Sequence, residues 1–558
     1  MAAHQSRADF DAIVVGSGMT GGWAAKELTE LGLRTLVLEA GRPIVPEKDY
    51  TEHKPPWDMP FRGLGDRRHM AARQSTQRHS VSFDELSHVF WTDDVDNPYT
   101  TPEDRPFYWF RARQVGGKSI IWGRQVYRWS DLDFEANLRD GIAVDWPIRY
   151  ADVAPWYDHV ERFIGVSGQA EGLAHLPDGP FLPPMQMNCV EQHIKQRMQE
   201  KFGRDRIMTI GRVANLTAAL NGRAPCHYCG PCQRGCITRS YFSSVNATLP
   251  AARATGRLTL RPFSIVRGLI YDARKNRISG VRIVDAQTKT ERVYTGKIVF
   301  LCASALESAR ILLNSGVANS SDQVGRNIMD HIKWGGASGD FDGWTDRREI
   351  GERPNGIYVP RFRNVTSRHP DFLRGYGFQG AAGRDGWGAA ARAPGIGVAL
   401  KQRLRQLGPW SMSFWGYGEA LPNPDNRATI HPTLVDKWGI PSLHIACRWG
   451  ENDLAIHRDM NVTAAELLEA AGAKNIEHPD GPSIPGGSNH EMGSARMGRD
   501  SKTSVLNGWN QSWDVPNLFI TDGAAMASSG WQNPSLTYMA LTARACHHTV
   551  DLLKRHEL

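Results

Sequence analysis

The chain has 558 residues, a formal net charge of +7, 41% hydrophobic and 22% charged residues, ordinary globular usage that excludes a disordered, fibrous or low-complexity molecule. Its length exceeds the roughly 100 to 200 residues of one domain, so two or more folding units are expected, and the modest, dispersed charge does not imply nucleic acid. No apolar run approaches the roughly 18 residues that suggest a membrane-crossing helix.

The N-terminal MAAHQSRADF shows no apolar core or small-residue cleavage site, so no secretory signal is expected there. From Asp11 to Glu39 the chain reads strand, glycine turn, helix, strand, as DAIVVG, SGMTGGWAAKELTEL and RTLVLE. Gly16, Gly18 and Gly21 form GxGxxG where the strand gives way to the helix. Glycines there let a pyrophosphate approach backbone amides at the helix N-terminus. Glu39 ends the next strand, placed as the carboxylate for ribose hydroxyls, which suits FAD or NAD rather than NADP.

Residues 45 to 105, rich in Pro, Arg, His and Trp, break this texture. RARQVGGKSIIWGRQVYRW follows, where Gly116, Gly117, Ser119 and Trp122 could set donors against a cofactor. An ordinary glycine loop reads equally well. PDGPFLPPM, from Pro177 to Met185, is the clearest linker. CHYCGPCQRGC then places Cys226, Cys229, Cys232 and Cys236 in C-x2-C-x2-C-x3-C, with Ile237 after the last. Bacterial ferredoxins wrap thiolates around an iron-sulfur cluster by this spacing, with proline in the last position. A zinc site, local disulfides or cysteines without metal are the alternatives.

KIVFLCASALESARILLNS repeats the strand-to-helix pattern, and residues 340 to 480, with NRATIHP and PSLHIACRW, look like a second unit inserted in pieces. SNHEMGSARMG carries Asn489 and His490. The zincin pattern HExxH fails because Ser494 occupies the second histidine position, which excludes a zinc protease. NLFITDG and SLTYMALTARACHHTVDLLKR give a last strand and helix, with Asp522, Gly523 and Asn533 near the junction. Taken singly, a lone histidine and an asparagine before Pro534 also read as structural groups. Strands alternating with helices predict an α/β fold with a mostly parallel sheet.

Together these segments resemble, in order and over nearly the whole chain, the glucose-methanol-choline (GMC) family of flavoprotein oxidoreductases. The resemblance implies a Rossmann-like FAD-binding domain from residues 1–45, 105–165, 225–335 and 480–558, with an interleaved α+β substrate domain from 46–104, 166–224 and 336–479. It implies FAD bound noncovalently, with Asp522 and Gly523 facing the pyrophosphate and ribityl region, Pro534 and Thr537 the flavin end, and Val266 near the adenine. His490 would accept the hydroxyl proton of an alcohol while Asn533 holds the same oxygen, so that CH–OH becomes a carbonyl.

The cysteine segment is similar to that of bacterial FAD-dependent sugar dehydrogenases which bind a three-iron cluster; Cys226, Cys232 and Cys236 match their spacing. Cys229 departs from it and leaves a four-iron cluster open. NPYTTPEDRPF and VDWPIRYADVAPWYD look most like glucoside 3-dehydrogenases, which oxidise C3 of glucosides and related sugars to 3-keto products. That likeness implies an iron-sulfur relay to an external acceptor such as cytochrome c. It also implies a small partner subunit with a twin-arginine signal, and a periplasmic location by co-export. A sugar or C-glycoside oxidase using dioxygen, and a cytoplasmic location, are the alternatives.

Overall fold

The computed structural model describes residues 8–59, 61, 65–349, 351–384 and 394–558; the start of MAAHQSRADF lies outside them. The expected unit near the N-terminus is β1 (Phe10–Val15), α1 (Met19–Glu30) and β2 (Thr35–Leu38). Both strands are short apolar runs with Ala12 to Val14 and Leu36 to Leu38 out of solvent, as strands covered on both faces require. A five-stranded, wholly parallel sheet grows around them in the order Leu518–Ile520, Gly296–Leu301, β1, β2, Leu258–Arg261. Helix Ala305–Ser315 follows the strand ending at Leu301, and helix Ser535–Lys554 packs on α1. KIVFLCASALESARILLNS and the C-terminal segments thus adopt the strand-to-helix forms read from sequence.

A six-stranded antiparallel sheet stands beside it, ordered Lys474–Glu477, Ile332–Phe341, Trp410–Gly418, Tyr376–Arg384, Ile357–Val359, Thr209–Ile210. Helices Cys189–Phe202 and Glu451–Ala470 cover one face, where Ile194, Met198, Ile456 and Met460 interlock with Phe378, Met412 and Phe414. The helix lies close on the sheet at Gly416, where a Cβ would sit 2.1 Å from Met460 Sδ. Successive strand side chains point to opposite faces. Phe378 therefore joins this core while its neighbour Gln379 looks the other way, into a cleft between the two sheets.

The strand-like NRATIHP and PSLHIACRW form the hairpin Arg427–Val435 and Pro441–Ala446. It packs on helix Ala305–Ser315, so the stretch 336–479 is shared between the antiparallel sheet and the parallel one.

Candidate active site

The cleft between the sheets encloses about 1830 Å³, its open mouth included. One end is built by the glycine turn. Gly16 has φ +95°, and a Cβ there would lie 2.5 Å from Cys302 O; one at Gly21 would lie 2.0 Å from Gly16 O. Only glycine lets the turn fold this tightly onto the neighbouring strand. Gly16 and Gly18 line the cleft, while Gly21 stands behind it as packing.

The second glycine loop docks on the first. Gly116, in left-handed conformation, donates its N–H to Ser17 Oγ (3.0 Å), and Ser119 Oγ donates to Gly116 O (2.5 Å). Gly117, Ser119 and Trp122 reach the cleft wall; Gly116 is the hinge behind them. Glu39 accepts from Ser17 N (3.1 Å), Ser17 Oγ (2.6 Å) and Gly41 N (2.9 Å), and burial pushes its carboxyl up. Val266 lines the same end.

Farther along, Asp522 accepts from Ser304 N (2.9 Å), Ser308 Oγ (2.5 Å) and Ala524 N (3.0 Å), and burial pushes it up to about 6. Gly523 and Pro534 line the cleft, whereas Thr537 is turned away, with Oγ1 2.8 Å from Tyr157 OH. Three wall residues, Glu307, Asn489 and Glu491, each hold a buried oxygen without a hydrogen-bond partner among the described residues. A cleft that begins at a Cβ-free turn on a helix N-terminus and is lined by Glu39 and Asp522 fits a dinucleotide.

The other end holds His490 and Asn533, 3.3 Å apart between Nε2 and Nδ2. Asp330 fixes the His490 loop by accepting from Ser488 N and His490 N, each at 3.0 Å. Hydrogen-bond chemistry then assigns the protons. His331 Nε2 lies 3.1 Å from both Ser529 O and Gly530 O. Carbonyls only accept, so this nitrogen carries the hydrogen.

Burial pushes His331 down to about 4, leaving it neutral at physiological pH with a bare Nδ1. That atom is 2.9 Å from His490 Nδ1, which must donate. Burial, with the charges of Lys333 and Lys118 and the neighbouring His331, holds His490 well below the ordinary histidine range. Neutral His490 is therefore protonated on Nδ1, and its Nε2 lone pair opens into the cleft. Gln379 Nε2 donates to Asn533 Oδ1 (2.6 Å), which turns the Asn533 N–H group toward that lone pair.

A base and an amide donor thus face one point, where an alcohol oxygen can give its proton to Nε2 and accept from Asn533. Sequence reasoning found His490 and Asn533 but missed His331, Gln379, Lys333 and Tyr417, which complete this corner. The available signals were slight: an Asp-His pair ahead of an otherwise apolar strand in NIMDHI, and a polar residue inside YGFQGAA.

The cysteine segment lies behind the opposite wall. Cys232 and Cys236 are buried against Tyr241, Cys226 is half-buried and Cys229 exposed. Tyr241 OH donates to Ile120 O, next to the lining residue Ile121. Among the described residues no three His, Cys, Asp or Glu side chains gather into a metal-holding group. The convergence expected from the spacing is not the arrangement seen. Cys229 forms an isolated bridge with Glu352, whose N–H donates to Tyr228 O at 2.8 Å. Burial, reinforced by the neighbouring cysteines, pushes Cys226 up and Cys229 to about 12.

Two GMC oxidoreductase family patterns match this chain, one over residues 10–333 and one over 422–542. The 2-methyl-1,2-propanediol dehydrogenase of Mycolicibacterium austroafricanum is 27% identical, over 96% of this chain and 94% of that protein. The fructose dehydrogenase large subunit of Gluconobacter japonicus is 26% identical over 98% of each chain. Pyridoxine 4-oxidase from Mesorbium loti shares the fold, with a TM-score of 0.59 at 16% identity over 96% of this chain and 98% of that one. Matched from its glycine turn to its C-terminal helix, and carrying a cleft that fits the FAD which GMC oxidoreductases bind, the chain belongs to the GMC oxidoreductase family.

Proposed function

We propose that the chain oxidises a secondary alcohol of a sugar or glycoside to the ketone, with C3 of a glucoside as the favoured position. The observation that carries alcohol oxidation is the lone pair of His490 Nε2 set 3.3 Å from Asn533 Nδ2 in the cleft. Bound FAD supplies the acceptor for the electrons that leave the carbinol carbon. The chain's own groups bind and orient. Gly16, Gly18, Glu39, Asp522 and Gly523 would hold the dinucleotide along the cleft. His490 takes the hydroxyl proton and Asn533 holds the oxygen. The sugar reading draws on the fructose dehydrogenase large subunit among the relatives.

We read Cys226, Cys229, Cys232 and Cys236 as the seat of an iron-sulfur cluster serving an external acceptor such as cytochrome c. Their thiolate donors and their spacing suit one. A small partner subunit and periplasmic co-export belong to the same reading, supported by the relative that is itself a large subunit. The test is product analysis: FAD-loaded enzyme, methyl glucoside and an artificial acceptor, with NMR of the product. A 3-keto glucoside is expected. Oxidation of simple diols with every sugar untouched would overturn the sugar reading.

A further inference from the structure

Lys333 stands in the second position of strand Ile332–Phe341, and pleating turns it away from the core that holds Ile332. It is 5% exposed and lines the cleft on the wall that carries His490 and Gln379. Its ammonium lies 4.7 Å from the Trp334 ring centroid and 5.3 Å from that of Tyr417. It makes no hydrogen bond or ion pair with the described residues. The other cations of the wall are engaged: Lys118 with Glu491 at 2.6 Å, Arg113 with Glu307 at 3.1 Å, and Arg111 and Arg124 with backbone carbonyls at 2.7 Å.

A buried ammonium has three donors to satisfy. Aromatic faces offset part of its desolvation but accept no ordinary hydrogen bond. Glu39 and Asp522 are bound by groups of their own, Glu307 pairs with Arg113 and Glu491 with Lys118, and among the described residues no wall carboxylate pairs with Lys333. The Lys333 side chain is buried while Nζ reaches the cleft, placed to give its hydrogens to an acceptor that a ligand brings. Tyr417 neighbours both functional groups, its ring centroid 5.3 Å from Lys333 Nζ and 5.8 Å from that of His490, so a ligand seated in this corner can meet both.

We propose that Lys333 anchors a carboxylate on the substrate, so that the preferred sugar is an acid, a uronic acid glycoside or aldonic acid whose hydroxyl meets His490 and Asn533. The inference rests on reading the cleft as a site of sugar oxidation. The carboxylate forms a charge-assisted hydrogen bond to Nζ and fixes which hydroxyl is presented to His490.

The test is anaerobic calorimetric titration of the FAD-loaded protein with methyl glucuronide and with neutral methyl glucoside, beside product analysis. The uronate is expected to bind about tenfold or more tightly than the glucoside. Lys333→Met should abolish that preference by weakening uronate binding far more than glucoside binding, while Lys333→Arg retains it. Equal binding of the two sugars, absence of uronate binding, or an equal loss for both in Lys333→Met would overturn the proposal. A uronate that binds through Lys333 yet is never oxidised would sustain the anchor and defeat the sugar-oxidation reading.

Discussion

Removing the acceptor that sets the His490 tautomer tests the proton assignment. In His331→Leu the half-buried His490 loses the partner of its Nδ1–H. Leaving such a donor unsatisfied costs about 1 to 3 kcal/mol. The imidazole then favours the other tautomer, which aims an N–H at the Asn533 amide and removes the lone pair. At about 1.4 kcal/mol per decade, the rate of alcohol oxidation should fall roughly ten- to a hundredfold. His331→Gln should behave differently, because its amide oxygen can accept from His490 Nδ1 while its amide nitrogen donates to Ser529 O and Gly530 O.

The assay is single-turnover flavin reduction in both variants, with thermal unfolding to establish that each is folded and flavin absorbance to establish equal FAD content. The expected order is wild type, then Gln within several-fold, then Leu far below. Wild-type rates in His331→Leu, or a Gln variant as slow as Leu, would refute the tautomer argument.

Other consequences are directly measurable. Because His490 is held well below the usual histidine range and works as the free base, kcat/KM should stay flat from pH 8 to 6.5 and fall only on acidification well beneath that; a half-point at 6.5 or above would contradict it. Gly21→Ala places a Cβ 2.0 Å from Gly16 O, so the purified variant should lose most of its flavin absorbance relative to protein absorbance. Gln379→Leu frees the Asn533 amide to turn, and should lower kcat more than it raises KM in steady-state assays. Met460→Ala opens a cavity beneath the antiparallel sheet and should cost about 2 to 5 kcal/mol in denaturant unfolding.

The parallel sheet was legible because its information is local. DAIVVG, RTLVLE and KIVFLC are buried apolar runs next to glycine or small-residue turns, and the strands they predict are the strands observed. Gly16, Gly18 and Glu39 could be read with them, since the chemistry of that end sits within one βαβ unit. His490 and Asn533 needed a family pattern as well as spacing.

His331 and Gln379 acquire meaning only through contacts 159 and 154 positions distant, which no local periodicity encodes. Lys333 likewise reads in sequence as an ordinary strand lysine; burial between Trp334 and Tyr417 makes it notable. Thr537 is buried against Tyr157, while Ser535 and Tyr538 of the same helix line the cleft. The cysteine spacing predicted a metal-holding group, and none is formed among the described residues.

The most direct test of the central claim is the visible spectrum of anaerobic, FAD-loaded enzyme mixed with methyl glucoside and, separately, methyl glucuronide, in wild type and His490→Ala. Bleaching of the flavin bands by at least one sugar in wild type, slowed by orders of magnitude in His490→Ala, is the predicted result. Flavin that stays oxidised with both sugars, or bleaches as fast without His490, would contradict sugar oxidation by this site.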